Sequence, residues 1–133
     1  MTGKKQARVV DAVESLIDET RLLFHRMKLA AEIRWAEHTG GDYYDFRLAP
    51  DGALVAAVGD ATGHGAKAGT MVTVIKSLFS ARPPEGELGK FLREANQVVR
   101  QMELGRMAMG LCLVRFEEGR VRLSSAGMPP VLV

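Results

Sequence analysis

The stretch ALVAAVGDATGHGAKAG, residues 53–69, joins three kinds of local sequence. Its first part is a run of small and β-branched residues, apolar on both faces, as expected of a buried strand. Asp60 follows this run, and Gly63 and Gly65 then give the backbone the freedom to turn and to approach a ligand closely. The stretch therefore predicts an aspartate presented at the end of a buried strand, shortly before a helix.

The segments on either side of this stretch predict an α+β fold. Alternating apolar and polar residues indicate strands, whereas apolar residues spaced three and four apart indicate helices. Hairpin connections early and late in the chain favour helices packed on an antiparallel sheet over a doubly wound parallel sheet. The predicted elements are strands at 28–36, 43–48 and 53–60, helices at about 66–80 and 87–104, a hairpin of strands at 107–116 and 120–127, and the start of a strand at 131–133.

An apolar stripe with helical spacing runs through residues 9–27 and includes Val9, Val13, Leu16 and Leu23. Two interpretations of this helix are open: an amphipathic helix packed on its own domain, or a short coiled coil that arrives from an upstream sensory domain. The stripe is shorter than the roughly three to four heptads that identify a coiled coil. A homodimer formed through this helix is therefore a prediction about partners that the sequence leaves undecided.

Composition argues against several classes of protein. The chain has 133 residues, 47% of them hydrophobic, which suffices for one compact domain or for part of a larger one. Its net charge of +2 is too small to indicate binding to nucleic acid or to a membrane surface. No apolar run approaches the ~20 residues that span a bilayer, and the N-terminus lacks an apolar signal core. The single cysteine, Cys112, lies in an apolar run, so the sequence predicts a packed thiol, no disulfide and a cytoplasmic protein.

Asp42 and Asp60 are the candidate metal ligands. If the strands at 43–48 and 53–60 form a hairpin, both carboxylates lie at its open end, where they can hold Mg²⁺ or Mn²⁺. Without a cation the two carboxylates would repel each other. The alternative, that Asp60 only caps the following helix while nearby glycines form turns, is equally open at this point.

Two further interpretations concern the loop after Asp60. A phosphate-binding P-loop requires a Gly-Lys-Ser/Thr sequence, but Ala66 precedes Lys67 and Ala68 follows it, so this interpretation is excluded. His64 is flanked by glycines, and such a loop histidine is more often solvated or a local hydrogen-bond donor than a catalytic acid.

Three segments of the chain resemble successive motifs of the SpoIIE/RsbU-like branch of PPM-type, metal-dependent serine/threonine phosphatases. They are GGDYYDF at 40–46, VGDATGHGAKAG at 58–69 and SAGMPPVL at 125–132. The resemblance implies an α-β-β-α sandwich. It covers about residues 27–133, which we expect to be the N-terminal portion of such a domain with its C-terminal part missing, while residues 1–26 resemble the linker helix that often joins a sensor to it.

The resemblance also implies an activity: hydrolysis of phosphoserine or phosphothreonine on a regulatory, anti-anti-sigma-like protein, by a water that bridges two Mn²⁺ or Mg²⁺ ions. Asp60 matches the catalytic aspartate that bridges the metals, the backbone carbonyl of Ala61 a further ligand, and Asp42 the ligand of the first motif. His64 is offset from the histidine that directly follows Asp-Gly in the wider superfamily, so it is given no general-acid role. The other residues expected near metal or phosphate are Gly41, Gly63, His64 and Gly65. Asp45 is a reserve ligand, and a structural role or support of the ligands is favoured for it.

The sequence departs from the family pattern in one respect. The family completes its metal site with downstream aspartates, and no aspartate follows Asp60 in this chain. Glu117 and Glu118 are poor substitutes because they lie at a predicted hairpin turn. We therefore expect the isolated chain to bind metal weakly and to turn over little substrate. The alternative function is a degenerate regulatory module of the same fold, which binds a phosphoprotein or an anti-sigma-type partner without hydrolysing it.

Overall fold

The structure, a computed structural model, describes residues 40–82 and 84–132 of the chain. The predicted helix at 9–27, the predicted strand at 28–36 and the predicted domain boundary after residue 26 lie outside the described residues. Within the described part, neither helix is long and apolar enough to cross a membrane. The elements of this part are, in chain order, β1 (Gly40–Leu48), β2 (Leu54–His64), α1 (Ala66–Ala81), α2 (Leu88–Gln101), β3 (Met109–Glu117) and β4 (Arg120–Ala126).

The four strands form one antiparallel sheet in the order β1-β2-β3-β4, so that each strand pairs with its neighbour in sequence. The β1–β2 hairpin turns at Asp51 and Gly52. Ala53 N–H donates to the Asp51 carboxylate at 3.2 Å, and Gly52 has a φ of 84°. Glycine suits this position because residues with side chains disfavour the left-handed conformation, and Asp51 accepts the hydrogen bond that closes the turn. The prediction of an α+β fold with an antiparallel sheet is confirmed.

Helices α1 and α2 cover one face of this sheet. Their buried residues recur at steps of three and four, and the sheet contributes alternate residues of each strand to the same core. Phe79 of α1 meets Phe91 of α2 edge-on, with ring centroids 5.9 Å apart and planes at 89°, a favourable aromatic geometry. The core includes Tyr43, Val55, Ala57, Ile75, Phe79, Leu88, Phe91, Ala95, Leu111 and Leu113.

The opposite face of the sheet carries a different set of residues. Because side chains alternate along a strand, each residue next to a core position points away from the helices. Val58 and Leu123 on this face are 47% and 44% exposed, so large apolar side chains are accessible there. Asp42 and Asp60 belong to the same face, since each is adjacent to a residue packed under the helices. At the sheet edge, however, Asp42 also lines a cavity with Gly69, Thr70 and Thr73 of α1.

The strand β2 is longer than the sequence indicates. It continues to His64 instead of ending at Asp60, because Ala61 still pairs with Met109 of β3 and His64 pairs with Gly40 of β1. The expectation that Asp60 stands at the end of a strand is therefore wrong. Asp60 lies within β2, four residues before its last residue.

Two boundaries further along the chain also differ from the predictions. Helix α2 ends at Gln101 rather than at residue 104. Glu103 has a φ of 50°, a left-handed conformation that cannot continue a right-handed helix. The strand expected at 131–133 is not formed at 131–132, which have no regular structure. A strand needs a neighbour for its backbone hydrogen bonds, and the apolar pattern of these residues does not provide one.

Candidate metal centre

The pairing of β1 with β2 places Asp42 directly opposite Asp60. Both residues are exposed, and neither carboxylate takes part in a hydrogen bond or ion pair with another described residue. Opposite positions of an antiparallel pair have Cβ atoms about 4.5–5.5 Å apart, close enough for two carboxylates to share a cation. The structure thus brings together the two aspartates that the sequence singles out.

A bulge interrupts the β1–β2 pairing next to these aspartates. Gly40 pairs with His64 and Asp42 pairs with Asp60, so the single residue Gly41 faces the three residues 61–63 of β2. Extra residues of this kind kink a strand and change the direction of its polar groups, and they are frequent beside active sites. Here the bulge brings the main chain of Ala61 against Gly41.

The bulged segment remains attached to the other side of the sheet. Thr62 N–H donates to the carbonyl of Ala108 at 2.8 Å, and Ala108 N–H donates in return to the Thr62 hydroxyl at 3.0 Å. These two hydrogen bonds hold the end of β2 against the start of β3. The position of the segment after Asp60 is therefore determined from both neighbouring strands.

Glycines form the connection from β2 to α1. Gly63 and Gly65 have φ values of 75° and 79°, and a Cβ added at either would meet no atom within 4 Å. Their backbone conformation, not a lack of space, thus favours glycine. Gly65 is the N-cap of α1, which has no side-chain capping bond. The alternative that Asp60 caps this helix is therefore wrong. His64, between the two glycines, is exposed.

Asp45 lies on the helix side of the sheet, away from the Asp42–Asp60 pair. Its side chain is only 9% exposed, and its carboxylate accepts bonds from Phe46 N–H at 2.8 Å and from Lys76 Nζ of α1 at 3.1 Å. Burial and the neighbouring Asp45 carboxylate raise the pKa of Tyr43 above its usual value. These contacts bind β1 to α1, and they give Asp45 an evident structural role.

The third motif segment reaches the same end of the sheet through β3 and β4. Leu111 pairs with Ala126, so Gly110 and Gly127 follow next to each other, and Gly110 is also opposite Asp60. A Cβ on Gly110 would lie 2.8 Å from the Gly127 carbonyl oxygen and 2.8 Å from the sulfur of Met128. Sequence reasoning missed Gly110, although a glycine within the apolar strand MGLCLV signals such a close approach.

The donor set at this sheet end suits a hard divalent cation. Two carboxylates and a main-chain carbonyl are oxygen ligands of the kind that Mg²⁺ and Mn²⁺ prefer. Within residues 40–82 and 84–132, no three His, Cys, Asp or Glu side chains lie together as a metal-binding group. Glu117 cannot add one, because it lies at the far end of β3, where Arg115 Nε donates to it at 2.7 Å. The described residues therefore fit part of a metal site.

Comparisons with known proteins agree with this fold. A solved structure of the RsbU and RsbW domains of Rv1364c from Mycobacterium tuberculosis matches with a TM-score of 0.60 and 26% sequence identity, over 77% of this chain and 29% of that chain. A comparison with curated proteins found no match. The fold thus defines a PPM-type phosphatase domain, of which the described residues form a part. Residues 50–133 match the family model of stage II sporulation protein E (SpoIIE), and the chain belongs to this family.

Proposed function

We propose that this chain carries the first part of the metal site of a serine/threonine protein phosphatase. The observation that carries the proposal is the direct pairing of Asp42 with Asp60 in a chain of the SpoIIE family. Two adjacent carboxylates repel each other unless a cation neutralises them. No bond to another described residue gives either carboxylate a structural role. Metal binding is the function that best accounts for the pair.

The chemistry requires both metals and correctly placed protein groups. Two divalent cations, Mn²⁺ or Mg²⁺, would lower the pKa of a bound water and neutralise charge on the phosphoryl group. The part of this chain is to supply oxygen donors, namely the carboxylates of Asp42 and Asp60 and the carbonyl of Ala61. Gly63 and Gly65 leave the adjacent backbone without side chains, so that a phosphoryl group can approach it. His64 has no proton-transfer role in this proposal.

The proposed substrate is a phosphoserine or phosphothreonine on a regulatory protein of the anti-anti-sigma type. Two observations support a protein substrate. The matched protein combines an RsbU domain with an RsbW domain. In addition, Asp42 and Asp60 are exposed at the end of the sheet, where a folded protein can present a phosphorylated side chain. Dimerisation through residues 9–27 and a cytoplasmic location remain predictions.

The proposal predicts Mn²⁺-dependent phosphate release from a phosphoserine protein. The assay compares the 133-residue chain with the full-length gene product, since no aspartate follows Asp60 in this chain. Asp60→Ala should abolish release by the full-length protein because it removes a metal donor. The control Glu118→Ala removes an exposed carboxylate at the other end of the sheet and should leave release unchanged. Release that survives Asp60→Ala would refute the proposed site.

A second candidate function is a regulatory module that binds a phosphoprotein or an anti-sigma-type partner without hydrolysis. The observation that favours it is the lack of a third acidic or metal-ligating side chain beside Asp42 and Asp60 among the described residues. The same assay separates the two functions. A folded full-length protein that releases no phosphate but still binds the phosphoprotein would support the module and contradict the phosphatase.

A further inference from the structure

The glycine Gly41 makes an unusually close backbone approach next to the candidate metal centre. It is buried in β1, between Gly40 and Asp42. A Cβ built on Gly41 would lie 2.9 Å from both the carbonyl carbon and the Cβ of Ala61, and closer still to the carbonyl oxygen of Ala61. Real Cβ atoms essentially never come this close to another atom, so any side chain at residue 41 would push the Ala61 peptide away.

We infer that Gly41 is a positioning residue for the metal site, because its missing side chain lets the Ala61 carbonyl keep the place where it serves as a ligand. This inference rests on the proposed function, in which that carbonyl is a metal donor. The carbonyl cannot evade a new side chain by changing rotamer, since it belongs to the main chain. If a side chain displaced this carbonyl, the neighbouring peptide units of the bulge would have to move with it, including the peptide between Asp60 and Ala61.

The bulge explains why Gly41 in particular carries this constraint. In a regular antiparallel pair each residue faces one partner, whereas Gly41 faces the three residues 61–63. The extra main chain must be accommodated on the β1 side, because Thr62 is hydrogen-bonded to Ala108 on the β3 side. The missing side chain of residue 41 provides the space.

Gly59 provides a matched control on the neighbouring strand. A Cβ there would also be crowded, but its shortest contact, at 2.5 Å, is with Cε of Met109, the flexible end of a side chain. Gly110 O at 3.0 Å and Leu111 Cδ1 at 3.1 Å are the next contacts. Gly59→Ala therefore introduces the same methyl group one residue from Asp60, on the helix face, without a direct contact with the Ala61 carbonyl.

The test is a Mn²⁺ titration of the full-length protein followed by electron paramagnetic resonance of free Mn²⁺, with circular dichroism to confirm that each variant is folded. We expect Gly41→Ala to weaken Mn²⁺ binding about tenfold or more, the loss that is typical when a residue that orients a metal ligand is replaced. Gly59→Ala should change Mn²⁺ binding less than about threefold, because Gly59 does not orient a ligand. Asp60→Ala should abolish the high-affinity binding in the same titration.

The outcomes separate this inference from the proposed function. If Asp60→Ala abolishes binding while Gly41→Ala binds like the wild type, or no more weakly than Gly59→Ala, the role of Gly41 is refuted and the metal site stands. If the wild type binds no Mn²⁺, both are refuted.

A second variant covers the case in which Gly41→Ala fails to fold. Ala61→Gly removes the Cβ that the new methyl group would strike, yet it leaves the carbonyl in place. The double variant Gly41→Ala/Ala61→Gly should therefore fold better and still bind Mn²⁺ about tenfold more weakly than Ala61→Gly alone. Equal affinities of these two proteins would refute the role of Gly41.

Discussion

The ion pair between Lys76 of α1 and Asp45 of β1 should contribute measurably to stability. Lys76 Nζ lies 3.1 Å from the Asp45 carboxylate, and the two side chains are 57% and 9% exposed. Lys76→Met keeps the apolar stem of the side chain and removes its charge. The nearly buried carboxylate then retains three donors: Phe46 N–H at 2.8 Å, Arg47 at 3.4 Å and the Tyr43 hydroxyl at 3.5 Å. Asp45→Asn removes the negative charge instead, and it leaves no buried ion unpaired because Lys76 and Arg47 can turn to water.

The burial of the two partners sets the magnitude. Exposed ion pairs contribute about 0.2–1 kcal/mol, whereas breaking a fully buried pair costs about 3–5 kcal/mol. Water screens the half-exposed Lys76, and Asp45 keeps three other donors. We therefore expect Lys76→Met to lower the free energy of unfolding by about 1–2 kcal/mol and Asp45→Asn by about 1 kcal/mol. The double variant should lose less than the sum of the two.

Urea denaturation of the wild type, both single variants and the double variant measures this coupling. A coupling energy near 1 kcal/mol is expected, and a value below about 0.3 kcal/mol would refute the reasoning, since additivity within that range indicates independent sites. The same proteins test the reserve assignment of Asp45 as a metal ligand. Asp45→Asn should lower stability without changing the Mn²⁺ affinity of the folded full-length protein, and a loss of affinity would make Asp45 part of the site.

Two further predictions concern β3. Arg115 is 1% exposed and donates to Asp51 and Glu117, so Arg115→Met should lower the free energy of unfolding by about 2 kcal/mol through the loss of charge-assisted hydrogen bonds. An unchanged urea midpoint would contradict this. Burial raises the pKa of the Cys112 thiol, so at pH 8 it should react with a disulfide reagent more slowly in the native protein than in urea. Equal rates in both states would show that Cys112 is accessible.

The parts of the fold that depend on local pattern could be predicted from the sequence. Apolar spacing predicted both helices, because a helix face must meet the sheet at every turn. The Asp-Gly turn at 51–52 predicted the hairpin, and the hairpin predicted that Asp42 and Asp60 share one end. Each of these inferences needs only residues that are close together in sequence.

The remaining features depend on pairing between distant residues. The continuation of β2 to His64 follows from the pairing of Ala61 with Met109 of β3 and of His64 with Gly40 of β1, both distant in the chain. The partner of Asp45 could not be predicted either: the sequence left Asp45 as a structural residue or a reserve ligand, whereas its contact with Lys76 comes from the packing of α1. The alternation of side chains along β1 already separates residue 42 from residue 45, and this signal could have been used.

The bulge shows why two of the motif segments depend on each other. A regular strand would present the Asp60 side chain and the Ala61 carbonyl in directions fixed by the pleat. The extra residues of β2 release the carbonyl from this constraint, but only if the facing strand leaves space for the displaced main chain. Gly41 leaves that space, and Asp42, the next residue, supplies the second carboxylate. The backbone conformation of the segment at 58–69 thus requires the glycine at residue 41, in the segment at 40–46. Neither segment can be understood from its own residues alone.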